Sequence, residues 1–198
     1  MLLKRLFDIL LSACGILVLL FPGMLIALLI VRDSRGGVFF RQKRLGKNFT
    51  PFYIFKFRTM VTDAERLGPK VSTGNDPRIT KIGGCLRRYK LDEVPQLFNV
   101  FLGDMSLVGP RPEVEEYIDH YREEYRQILS VRPGITDQAS IDYIDEDRLL
   151  EDAEDPEALY VGQILPAKLE LNKNYVSNWS LLRDMQIILQ TVWRIIRR

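Results

Sequence analysis

The sequence predicts a small α/β domain, mostly helical, carried on an N-terminal re-entrant membrane helix-break-helix and trimmed with interfacial amphipathic helices. Three observations make that prediction. Residues 9–31 carry no charge, and a helix of that length matches the ~30 Å hydrocarbon core of a bilayer at ~1.5 Å per residue. Short strand-like runs then mix with helical ones. The last twenty residues set apolar side chains at helical spacing, with tryptophan and arginine at the margins. With 198 residues, 46% hydrophobic and 27% charged, the chain suits one domain plus an appendage. The membrane element is assigned to 1–33 and the globular domain, including the C-terminal helix, to 34–198. A net charge of +2, from 28 basic and 26 acidic residues, does not point to nucleic acid, so an anionic partner must be met by local clusters. Cys14 and Cys85 form no CxxC and read as packing residues in a reducing compartment.

Along the apolar run, a cleavable signal peptide is the first rival. The run is long for one, no small-x-small site follows it, and Arg32, Arg35, Arg41, Lys43 and Arg44 come next. Pro22 removes a hydrogen bond in mid-run, so Phe21-Pro22-Gly23 should break or kink the helix. Lys4 and Arg5 precede the run and Arg32 and Arg35 follow it. Cations at both ends satisfy the positive-inside rule only if the segment enters and leaves by one face. Asp8, at the start of the run, needs Arg5 or an interfacial position. The alternative is a plain kinked span.

Gly36-Gly37 marks a turn and residues 38–40 a short strand. Arg41, Lys43, Arg44 and Lys47 are expected in a basic loop around Gly46, followed by a second strand at 52–58, buried or against lipid. A short helix starts at 63–66, and 68–77 has loop composition. Helices are expected at 79–89, at 95–102 ended by Gly103, and at 113–129. Residues 142–157 are acidic, with Arg148 the only base, and suit a solvated helix and loop. The helix at 165–174 precedes the closing one at 179–198, where Trp179, Trp193, Arg194, Arg197 and Arg198 suit an interfacial element; packing on the core is the equal alternative.

Residues able to do chemistry concentrate in Arg87-Arg88-Tyr89-Lys90-Leu91-Asp92-Glu93-Val94-Pro95-Gln96 and in Gly109-Pro110-Arg111-Pro112-Glu113. Pro95 is tolerated only in a first helical turn, which places Asp92 and Glu93 at or before a helix N-terminus. There the dipole and nearby cations favour ionised carboxylates, as a nucleophile or a metal ligand. Adjacent residues do not share a helix face, so two different roles are expected. The plainer reading is that Asp92 only caps the helix. The two prolines stiffen Arg111, whose fork suits phosphate. Arg132-Pro133-Gly134-Ile135-Thr136 repeats the idea. His120, the only histidine, reads as a surface residue. No Ser-His-Asp set, Walker loop or GxGxxG is present.

Together these motifs resemble the bacterial sugar transferases, the small monotopic phosphoglycosyl transferases that initiate glycoconjugate assembly. The resemblance runs nearly end to end: Lys4-Arg5-Leu6-Phe7-Asp8, the Pro22-interrupted run, Lys56-Phe57-Arg58-Thr59-Met60, Leu91-Asp92-Glu93-Val94-Pro95-Gln96-Leu97-Phe98-Asn99-Val100, Gly103-Asp104-Met105-Ser106-Leu107-Val108-Gly109-Pro110-Arg111-Pro112, and Arg132-Pro133-Gly134-Ile135-Thr136. It implies a re-entrant membrane helix, a catalytic domain on the cytoplasmic face of the bacterial inner membrane, Mg2+, and a two-step mechanism. In that mechanism Asp92 attacks the sugar-bearing phosphate of a UDP-sugar and expels UMP. Polyprenol (undecaprenyl) phosphate then takes the phosphosugar. Glu93 would hold Mg2+ with Asp92 or act as base; Arg111 is the first candidate phosphate clamp, with Arg58, Arg88 and Arg132 behind it and Pro110 and Thr136 beside the substrate. Lys4, Arg5, Asp8 and Pro22 belong to the membrane element. Membrane lipid is a partner, and a homodimer is left open. One departure stands out: many members continue Pro-Gly-Ile-Thr with Gly-Trp-Ala-Gln, whereas this chain has Asp137-Gln138-Ala139-Ser140, which leaves the sugar's identity open. The rival from another class is a non-catalytic membrane-anchored module that binds anionic lipid heads. A two-carboxylate hydrolase is the rival enzyme, but it would hold its acids apart across a cleft.

Overall fold

The computed structural model describes residues 2–67 and 76–197; most of the loop expected at 68–77 lies outside the described residues. The first element, α1 (Leu2–Asp33), is a single helix that continues through Pro22. The break expected at Pro22 is not seen: Pro22 costs one backbone bond, and the apolar turns around it together with packing on the body keep the helix continuous, which leaves room for a kink. α1 lies against the globular body at several levels. An added Cβ at Gly15 would come 3.1 Å from Leu97, and Ile30 is buried with Phe57 and Leu86. Much of its remaining apolar surface, including Leu17, Val18, Phe21 and Leu25, is exposed.

Strands β1 (Phe39–Leu45) and β2 (Pro51–Phe57) form an antiparallel hairpin with Phe39 opposite Phe57 and Leu45 opposite Pro51. The basic residues expected in a loop are here instead: Arg41, Lys43 and Arg44 belong to β1, where neighbouring side chains alternate in direction and can be pointed at separate partners. A one-turn helix α2 (Ala64–Leu67) and α3 (Lys81–Arg88) follow, the latter capped by Thr80 Oγ1 accepting from Gly83 N. Next come a 3-10 turn at Leu91–Glu93 and α4 (Gln96–Leu102), which Gly103 ends at φ +101°.

β3 (Ser106–Val108) and β4 (Gly134–Thr136) pair in parallel, Ser106 with Gly134 and Val108 with Thr136. Between them the single helix expected at 113–129 is two, α5 (Glu115–His120) and α6 (Arg122–Ile128). They part at Tyr121, which leaves helical geometry (φ −135°, ψ 42°) and donates its hydroxyl to Val161 O. α7 (Gln138–Asp142) leads into the acidic stretch, which holds α8 (Glu146–Glu151) and the start of α9 (Pro156–Leu159). A π turn at Tyr160–Ile164 leads into α10 (Leu165–Ser177), and α11 (Leu181–Ile196) closes the chain behind the Ser180 cap. The main core gathers Tyr117, Ile118, Tyr125, Ile128, Leu165 and Leu169 from α5, α6 and α10. The last helix packs on the core through Ile187, which meets Val108 and Tyr175, while Leu182, Leu189, Trp193 and Ile196 are exposed on its other side.

The start of α1 is pinned to this body by charge. Lys4 Nζ bonds to Asp184 Oδ2 (2.5 Å) and Val108 O (3.0 Å), and Arg5 to Val100 O and Phe101 O. Asp8, almost fully buried, accepts from Ser106 Oγ and Leu107 N. These β3 groups, rather than Arg5, compensate its charge. At the far end Asp33 Oδ2 accepts from Ile82 N at 2.9 Å.

Candidate active site

As the Pro95 spacing predicts, Asp92 and Glu93 sit immediately before α4, in the 3-10 turn, behind Lys90 in the left-handed region (φ 54°). A non-glycine residue there is uncommon and is the kind of local strain that surrounding contacts must hold. Both acids are buried. Asp92 does not cap α4, whose cap position is Pro95 with no side-chain bond. Its Oδ1 is buried without a hydrogen-bond partner. A bare carboxylate oxygen in that setting is costly, and natural proteins keep such groups mainly where a ligand or chemistry uses them.

Glu93 is the opposite case. Its Oε1 accepts from Lys56 Nζ at 2.9 Å and from Arg111 Nη2, and its Oε2 from Arg111 Nη1 at 3.1 Å. Arg111 therefore meets a carboxylate bidentately, with N–H groups left over for another anion. Its backbone N–H also donates to Asp137 Oδ2 (3.0 Å), and the other oxygen of Asp137 caps α7 through Ser140 N.

These surroundings push the two acids apart. Burial raises the Asp92 carboxyl above the ordinary aspartate range; Lys56 opposes this and Glu93 adds to it. For Glu93, burial again raises, but Arg111 and Lys56 outweigh it and hold the carboxyl well below its ordinary value. Burial also pulls the Lys56 ammonium down against the attraction of Glu93. Glu93 thus stays ionised and orders two cations, while Asp92 keeps a partnerless oxygen. Neighbouring acids driven in opposite directions mark different tasks.

A cavity of about 330 Å3 adjoins the turn, with Lys90, Glu93 and Arg111 on one side and Glu146 and Lys168 among its other lining residues; Leu97, Ile141 and Ile195 give it apolar walls. Asp92 does not line it, although its neighbours Lys90 and Glu93 do. Thr136 lines the cavity and shares a hydrogen bond with Thr191 (2.7 Å). Pro110 O accepts from Gly134 N and so fixes the Arg111 loop to β4. The other arginines named from sequence lie elsewhere. Arg58 is buried and donates from Nε, Nη1 and Nη2 to Gly37 O, Arg35 O and Ser34 O just beyond the end of α1. Arg132 is exposed and bonded to Gly103 O (2.7 Å); Arg88 is exposed, over the Tyr89 ring.

Sequence reasoning missed Lys56, Asp137, Glu146 and Lys168. A signal existed for Lys56: the period of two places it with Phe52 and Ile54 on the inward face of β2, where a cation needs an acid. Asp137 heads a helix and could be found as a cap, but its bond to Arg111 spans 26 residues. Among the described residues, no three His, Cys, Asp or Glu side chains gather as a metal site.

A family model described as bacterial sugar transferase matches residues 1–198. The chain is 41% identical over 201 residues to the exopolysaccharide production protein PSS of Rhizobium leguminosarum bv. phaseoli, covering 96% of this chain and 93% of that protein. It is 40% identical over 182 residues to a UDP-glucose:undecaprenyl-phosphate glucose-1-phosphate transferase of Xanthomonas campestris pv. campestris, covering 89% of this chain and 35% of that protein. A UDP-N-acetylgalactosamine-undecaprenyl-phosphate N-acetylgalactosaminephosphotransferase of Aeromonas hydrophila is 37% identical over 196 residues, 96% of this chain and 42% of that protein. The chain thus spans less than half the length of the two relatives named for their activity.

Proposed function

The chain belongs to the bacterial sugar transferase family, and on that premise we propose that it transfers a sugar 1-phosphate from a UDP-sugar to a polyprenol phosphate through a covalent Asp92 intermediate. The observation that carries the proposal is the buried, partnerless Oδ1 of Asp92 beside a Glu93 already held by two cations. The names of the two transferase relatives supply the substrate class.

The donor's diphosphate meets Arg111 and Lys90 at the cavity edge, where they neutralise its charge. Asp92 attacks the sugar-bearing phosphorus; the Asp92 O–P bond forms as the bond to the bridging oxygen breaks, and UMP leaves with that oxygen. An oxygen of polyprenol phosphate then attacks the same phosphorus, frees Asp92, and gives polyprenol diphosphate-sugar. Asp92 Oδ1 and the remaining lone pair of Glu93 Oε2 are hard oxygen donors of the kind magnesium takes, and they would hold such an ion. Such an ion supplies charge neutralisation to the transferring group. Glu93, held below its ordinary pKa, acts as an anion that positions Arg111 and Lys56 and not as a base.

The same reading sets α1 in one leaflet of the bacterial inner membrane, bent at Pro22 while its helical run continues, so that it enters and leaves by the cytoplasmic face. It is supported by the docking of both ends of α1 on one body, through Lys4, Arg5 and Asp8 and through Asp33. The exposed apolar sides of α1 and α11 suit lipid. UMP release tests the reaction: with UDP-sugar, Mg2+ and polyprenol phosphate the wild type releases UMP and Asp92→Asn loses at least about a thousandfold in rate. A lipid-binding module would release none in either form.

A further inference from the structure

Lys168 of α10 is buried, yet it and Glu146 of α8 form an ion pair beside the cavity that Glu93 and Arg111 also line. Lys168 Nζ lies 5.1 Å from the Tyr160 ring centre and 5.9 Å from that of Tyr143, which lines the cavity too. Sequestering an ammonium and a carboxylate costs more than a well-packed apolar pair would, so stability alone is a poor reason for the pair. Its position suggests a ligand. The cavity's polar residues differ in kind. Lys90, Arg111 and nearby Lys56 give the Glu93 side an excess of positive charge, as an anion requires. The Lys168–Glu146 pair is neutral overall but offers a donor and an acceptor together. That is poor for phosphate and good for vicinal hydroxyls, which both give and receive hydrogen bonds. The Tyr143 ring beside them adds an apolar face of the sort a pyranose covers.

We propose that Lys168, Glu146 and Tyr143 form the subsite for the donor's sugar, with Glu146 accepting from and Lys168 donating to its hydroxyl groups. The inference rests on the proposed UDP-sugar reaction. It also gives a physical role to the segment after Thr136, since α7 and the start of α8 build this wall through Ile141, Tyr143 and Glu146.

The test compares UDP with UDP-sugars by calorimetry on the detergent-solubilised full chain, for the wild type, Glu146→Gln, and the double variant Glu146→Gln/Lys168→Met, which leaves no unpaired buried charge. The wild type should bind its preferred UDP-sugar more tightly than UDP. Both variants should lose about ten- to a hundredfold in affinity for that UDP-sugar with UDP affinity unchanged, which also verifies their folding. In turnover, the donor KM should rise and the polyprenol phosphate KM stay put. A wild type that binds every UDP-sugar no better than UDP would overturn the subsite, as would variants that shift only the acceptor KM. Tight, variant-sensitive UDP-sugar binding without UMP release would support the subsite while removing the transfer reaction.

Discussion

Lys56 is the residue on which the electrostatics of the site turn, because it touches Glu93 and lowers the pKa of Asp92 against burial. A nucleophilic Asp92 must be ionised, so activity falls on acidification, with a midpoint above the ordinary aspartate value. Removing the cation in Lys56→Met takes away a lowering influence, and the acid limb of kcat/KM should move to higher pH. An unmoved limb would mean that the limb does not report Asp92. Glu93 contributes to stability with the opposite sign to Asp92. Its folded pKa is depressed, so its contribution is present at neutral pH, above the unfolded value, and is lost as pH falls through the folded value. Glu93→Gln leaves Arg111 and Lys56 facing an uncharged amide, a cost of about 3 kcal/mol. Thermal unfolding in detergent should show a lowered Tm at pH 7, and the gap from wild type should narrow below about pH 4. At this scale the Asp92-Glu93-Pro95 arrangement was legible because it is local. The surroundings of Arg58 were not legible, because an arginine reads the same whether it serves phosphate or three carbonyl groups.

The parallel β3–β4 pair fixes the Arg111 loop and is built on a close approach of backbones. A Cβ added to Gly134 would stand 2.1 Å from Gly109 N and 2.4 Å from Gly109 O. Gly134→Ala should force the strands apart at a cost of about 3 kcal/mol and lower transfer activity by displacing Pro110 and Arg111. Gly162→Ala, whose added Cβ meets nothing within 4 Å, is the control, read by unfolding temperature and UMP release together. The two strands escaped sequence reasoning because three residues are too few to show alternation. The division between α5 and α6 escaped it because both halves keep one helical pattern, and Tyr121 leaves helical geometry where its hydroxyl reaches Val161 O. The end of α4 at Gly103 was easier, since a glycine that can take positive φ marks a helix stop in the residue itself.

Over the whole molecule, the apolar run, the strand at 52–58, the helix that follows Pro95 and the last helix were readable from periodicity and punctuation. The way they close on one another was not. Lys4 and Asp184 are 180 residues apart and only 2.5 Å apart in space, and no local pattern encodes that meeting. This closure makes a topological prediction. With the exposed Cys14 and Cys85 replaced by alanine, single cysteines at Leu2 and Arg35 should both react with an impermeant thiol reagent only after the cytoplasmic side is opened. Labelling of either from the periplasm would turn α1 into a span. The central claim, that Asp92 carries the phosphosugar, is tested most directly by the intact mass of the solubilised protein after exposure to a panel of UDP-sugars with Mg2+. Wild-type protein should gain the mass of one sugar phosphate from its preferred donor, and Asp92→Asn should gain none. An adduct that persists in Asp92→Asn, or UMP release from the wild type without any adduct under single-turnover conditions, would contradict the assignment.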